Sequence, residues 1–143
     1  MLGAQIAEGR GKRTGRRVIA TTPTLKIEAS VEESGTLLGV DGMSIITYTA
    51  SPKPDATLGG EGEGVFMSAQ GEMATWKAIG VGKFGDDGSI HYTGSMNFSS
   101  STPKLSALNG VSGVFEFDVD PQGNTHSKTW EFTSAAATRK ASA

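Results

Sequence analysis

Residues 24–32, TLKIEASVE, alternate without a break: Leu25, Ile27, Ala29 and Val31 fall on one parity, Lys26, Glu28, Ser30 and Glu32 on the other. Successive side chains of a strand point to opposite faces, so this is the pattern of a strand with one buried and one wet side. Short runs of the same kind recur along the chain. MSIITYTA (43–50) is rich in β-branched residues, which suit a pleated, half-buried surface. GEGVFMSA (62–69) and MATWKAIGVGKF (73–84) flank QGE, a hairpin turn in which Gly71 is free to take positive φ. IHYTGSMNF (90–98) puts Ile90, Tyr92, Met96 and Phe98 on one face, and VSGVFEFDVD (111–120) and HSKTWEF (126–132) flank the turn PQGN. Between these runs, EESG (32–35) and FGDDGS (84–89) read as turns, and SPKPDATLGG (51–60) as a loop whose two prolines exclude a central strand. TPKLSALNG (102–110) alone reads as helical, a short turn near 103–108 with Pro103 in the first turn and Asn109-Gly110 at the end.

About eight strands with short connections and almost no helix make an all-β domain, either a sandwich or an up-and-down barrel. Glycine decides between them. It supplies 20 of 143 residues, spread through the strands rather than gathered in a linker. Strand glycines such as Gly80, Gly82 and Gly94 permit the sharp coiling that closes a small barrel, and closure removes sticky sheet edges. The expectation is an eight-stranded antiparallel up-and-down barrel.

A chain of this length is one domain with a core of its own. The expected division is a basic arm over 1–17, mobile over 1–9, a barrel over 18–132 and a flexible tail over 133–143. Arg10, Lys12, Arg13, Arg16 and Arg17 crowd the arm, whereas residues 18–138 carry six basic against 14 acidic residues, a net charge near −8. No aromatic residue interleaves with the basic run and the acidic body would repel phosphate, so nucleic acid is not expected as a partner. Cysteine is absent, which excludes thiol redox chemistry and zinc–thiolate sites and fits a reducing, cytoplasmic setting. No apolar run approaches the ~18 residues of a spanning helix, and Gln5, Glu8 and Gly9 interrupt any secretory signal, so neither a membrane nor export is expected.

GGEGEGVF (59–66) is the stretch that most invites a chemical reading. A phosphate loop is excluded, because no Lys-Ser/Thr or helix follows and two carboxylates would repel the phosphate. Glu61 and Glu63, two residues apart in a strand, would share a face at roughly 6.6 Å. Turned into a barrel lumen they would form a general acid–base pair; turned to water they are a solubility feature. The alternation leaves that choice open, since both faces of the strand carry apolar residues. Glu61, Glu63 and Tyr92 are the catalytic candidates. Trp76, Phe84, Tyr92, Met96 and Trp130 are the candidate lining of a ligand pocket, with plain core packing as the competing reading. His91 and His126 lack ligand spacing, so no metal and no cofactor are expected.

TLLGVDGMSIITYTA, GEGEGVFMSAQGEMATWKAIGVGKF and LNGVSGVFEFDVDPQGNTHSKTWEF resemble segments of small bacterial proteins of uncharacterised function that look like the allene-oxide-cyclase-like barrels, within the broader lipocalin-like class. The resemblance covers roughly residues 8–132. It implies the eight-stranded barrel, and it carries over no functional residue. The expected function is binding of a small, largely apolar molecule in the barrel. The alternatives are a cofactor-independent cyclase or isomerase, in which a Glu or Tyr polarises the substrate, and a structural or assembly protein with a filled lumen. A homo-oligomer is left open.

Overall fold

The computed structural model describes residues 1–134. Eight antiparallel strands follow one another around a closed barrel: β1 (Leu2–Ala20), β2 (Lys26–Leu37), β3 (Val40–Pro52), β4 (Leu58–Met67), β5 (Met73–Phe84), β6 (Ile90–Ser99), β7 (Ser112–Val119) and β8 (Asn124–Phe132), with β8 pairing back onto β1. The expected architecture is therefore the one found. A 3-10 helix at Pro103–Leu108 interrupts the β6–β7 connection, where the helical turn was expected.

The loop expected over 51–60 shrinks to 53–57, because β3 runs to Pro52 and β4 starts at Leu58, and two further differences from the sequence reading bear on the site. The supposed mobile arm is strand β1: Ala7–Ala20 pair with β2, and Leu2–Lys12 pair with β8. Beyond the buried Ile6 its next inward positions hold Gly9 and Gly11 instead of apolar side chains, so no alternation announces it. A Cβ at Gly11 would collide with the backbone of Glu32 and Glu33, which explains the missing side chain there. EESG is likewise no turn, because β2 runs through it to Leu37. The reversal comes at Leu38-Gly39, both with positive φ (48° and 77°), as a two-residue hairpin turn requires. Of the tail expected over 133–143, everything beyond residue 134 lies outside the described residues.

Two apolar layers lie in the lumen. At the end holding the β2–β3, β4–β5 and β6–β7 connections, Ile6, Leu37, Phe66 and Ala74 pack against Leu105 and Leu108 of the 3-10 helix. The helix thus acts as a plug, sealed by hydrogen bonds from Ser100 Oγ to the Met73 carbonyl (2.6 Å) and from the Met73 amide to Thr102 Oγ1 (3.1 Å). Toward the opposite end Val31, Leu58, Tyr92, Phe117 and Val119 form the second layer, joined by Ile46 and Tyr48. The outer surface carries the alternate residues. No helix among the described residues is long and apolar enough to cross a membrane.

Candidate functional site

Between the two layers lies a cavity of about 120 Å³. Trp76, Phe98 and Phe66 line it on the plugged side, and Tyr48, Tyr92 and Phe117 on the other. The Tyr48 ring meets Tyr92 and Phe117 edge-on at centroid separations of 5.7 and 5.6 Å, and Trp76 tilts against Phe98 at 6.3 Å. Such geometries suit ring quadrupoles and hold the walls rigid.

Opposite the rings is a polar wall built across three strands. Glu33 points inward from β2, only 3% exposed. Its carboxylate reaches over β1 to β8, where Oε2 accepts a hydrogen bond from Thr125 Oγ1 (2.8 Å) and Oε1 accepts one from Ser127 Oγ (2.6 Å). Gly9 makes the crossing possible, since a Cβ there would sit 2.7 Å from Glu33 Oε1 and 3.2 Å from Ser127 Oγ. Thr129, next on β8, is buried and donates its hydroxyl to Met96 Sδ at 3.4 Å.

The candidates of the sequence reading separate cleanly. Trp76, Tyr92 and Met96 line the cavity together. Phe84 does not: it ends β5 and is 59% exposed. Trp130 does not either, because it pairs with Val114 on the outer parity of β7 and β8, opposite to that of Thr125 and Thr129. Glu61 and Glu63 present their side chains on the exposed face of β4, while Gly60, Gly62 and Phe66 take the inner positions. Glu63 meets Lys77 of β5 across the ladder at 3.6 Å, an exposed ion pair of the kind that contributes little. The acid–base pair is thus not assembled in the lumen, and the solvated alternative holds. His91 pairs with Asp118 (2.6 Å) and His126 with Glu8 (2.7 Å), each on the outer surface. The His126 hydrogen bond, the largest cause, holds the Glu8 carboxyl below its ordinary range.

Tyr92 is 4% exposed, and burial first, then repulsion from Tyr48, pushes its phenol well above the usual tyrosine range. Burial also pushes Tyr48 up, against the opposing pull of Arg13 and Arg16. Near neutral pH both phenols are therefore hydrogen-bond donors, and neither serves as a base.

The barrel has solved counterparts. A conserved protein of unknown function from Rhodopseudomonas palustris superposes with a TM-score of 0.75 at 11% identity, covering 92% of this chain and 99% of its own. A protein with unknown function from Clostridium acetobutylicum gives 0.77 at 10% identity, covering 90% and 97%. At such identities the likeness is one of fold alone. No family model matches the chain, and no curated protein matches it.

Sequence reasoning missed Glu33, the most buried charged residue of the lumen. The signal was present. Glu33 continues the parity of Ile27, Ala29 and Val31, and only the placement of a turn at EESG removed it from the inner face. Tyr48 was missed because both faces of its strand carry apolar side chains, whereas Phe115 and Phe117 alternate with Glu116 and Asp118 and were legible.

Proposed function

We propose that this barrel binds one small, largely apolar molecule in its lumen. The observation that carries the reading is the cavity itself, walled by aromatic rings on two sides and polar on a third. Its volume, about 120 Å³, is close to the roughly 150 Å³ of an apolar cavity that accepts benzene. A fatty acid or terpenoid needs the several hundred cubic ångströms of ordinary ligand pockets, so the size favours a single-ring body. The likeness to allene-oxide-cyclase-like and lipocalin-like barrels belongs to this reading, as does a cytoplasmic setting, suggested by the absence of cysteine. One observation favours the cyclase or isomerase alternative, namely a buried carboxylate, Glu33, on the cavity wall; Glu61 and Glu63 supply no such support.

The test is thermal unfolding with toluene as the probe. A ligand that binds only the folded state at a hundred times its Kd adds about 2.7 kcal/mol. The chain has two tryptophans, so Trp130→Phe leaves Trp76 as the sole reporter of the cavity. Toluene should raise Tm and alter Trp76 emission. Unchanged Tm and unchanged emission at toluene saturation would remove the binding reading and leave a structural barrel.

A further inference from the structure

The cavity's charge pattern is more specific than its size. Glu33 is buried on the cavity wall, and among the described residues its hydrogen-bond partners are two neutral hydroxyls, one on each carboxylate oxygen. A carboxylate offers about four acceptor positions, so two remain after Thr125 and Ser127 are served. Among the described residues no Lys, Arg or His lines the cavity. Glu8 and Glu61 border it, but the Glu8 side chain is turned to His126 and that of Glu61 is exposed, both on the outer surface. Arg13 and Arg16, level with Val31 and Ala29 on β2, are the cations whose pull reaches Tyr48, and Arg16 is exposed. Arg13 lies against Gly123 in the β7–β8 turn, and neither arginine lines the cavity.

A carboxylate taken out of water with no counter-charge in contact is costly, and a cation that joins it there offsets that cost. The opposite wall suits the same guest. The faces of Trp76, Tyr48, Tyr92 and Phe117 carry negative quadrupoles, which attract an ammonium group and an adjoining C–H skeleton alike. A carboxylate guest would instead meet Glu33 as a like charge.

Resting on the reading of the lumen as a ring-sized binding site, we propose that its ligand is a small organic cation, a protonated primary or secondary amine on a body of about one ring. Its N–H groups donate to the free acceptor positions of Glu33, and its body lies against the aromatic wall.

The experiment is an isothermal titration series at neutral pH with four probes of nearly one shape: toluene, benzyl alcohol, benzoate and benzylamine. Benzylamine should bind at least tenfold more tightly than benzyl alcohol, with toluene weaker and benzoate undetectable. Glu33→Gln keeps the shape of the wall, and should cost benzylamine at least tenfold while leaving toluene within twofold. The wild-type series decides even if that variant does not fold. Toluene or benzyl alcohol binding as tightly as benzylamine would overturn the cation proposal and leave the apolar site standing. Failure of all four probes would overturn both.

Discussion

Truncating Leu105 tests whether the 3-10 helix is a structural plug or a passenger on the β6–β7 connection. Leu105 is 0% exposed, packed with Leu108 against Ile6, Leu37, Phe66 and Ala74 at one end of the barrel. Leu→Ala at a fully buried site loses the transfer free energy of the removed carbons and leaves a void, together about 2–5 kcal/mol. Strands on every side limit collapse into that void, so a middle value of about 3 kcal/mol is the expectation. A chain of 143 residues has an unfolding entropy near 0.3 kcal/mol/K, which converts the loss to a fall in Tm of ~10 °C. Met43→Ala is the control. Met43 is 50% exposed on the outer face of β3, and surface changes of this kind stay within about 0.5 kcal/mol, or ~2 °C. Differential scanning calorimetry reads both. A Leu105→Ala midpoint no lower than that of Met43→Ala would refute the plug, and with it the closure of that end of the lumen.

Gly64→Ala should destabilise by about 1–3 kcal/mol, the cost of overpacking, because the new Cβ overlaps the Trp76 indole, which is itself held against Phe98. Chemical denaturation with Trp76 emission as the signal checks this, and a wild-type midpoint with unshifted emission would contradict the packing described here. Alkaline titration examines the tyrosines, of which the chain has two. Both phenols are raised, chiefly by burial. Their protonated forms therefore favour the native state, a contribution complete below the unfolded value of about 10 and lost as pH rises above it. Tyrosinate absorbance should stay low through pH ~10 and then appear together with loss of the far-UV β signal. Half-ionised tyrosine at that pH in a folded barrel would refute the burial assigned to Tyr48 and Tyr92.

Fold and site were not equally readable in the sequence, and one physical circumstance accounts for both outcomes. Where a strand fills its inner positions with side chains, its period of two is plain. β6 was bounded to within a residue on that basis and β5 by the turns that flank it, and Trp76, Tyr92 and Met96 were placed together, with Phe84, on the lining side. A narrow lumen cannot hold a large side chain from every strand, however. Trp76 of β5 occupies the space over Gly64 of β4, and the Glu33 carboxylate of β2 occupies the space over Gly9 of β1. The strands that give way to these groups show glycine inside and charged or mixed residues outside. Their inner face then looks empty, and the outer one looks like the patterned one. That inversion made β1 resemble a solvated basic arm. It also left the orientation of Glu61 and Glu63 undecidable, because Gly60, Gly62 and Gly64 are the inner residues beside them.

A strand rich in inward glycine implies a bulky or polar partner reaching across from a neighbour, and that partner is recognisable by keeping the parity of the apolar residues beside it. Glu33 satisfies both conditions: it stands in step with Ile27, Ala29 and Val31, and it pairs with Gly11 of β1, one inner position from Gly9. Charge alone argues against an inner position, since carboxylates are almost never fully buried unless partnered. Here the partners come from β8, distant in sequence, as Thr125 and Ser127. Without barrel closure between β1 and β8 those hydroxyls would not lie near Glu33, so the burial of this carboxylate is a consequence of the closed topology rather than of any local pattern.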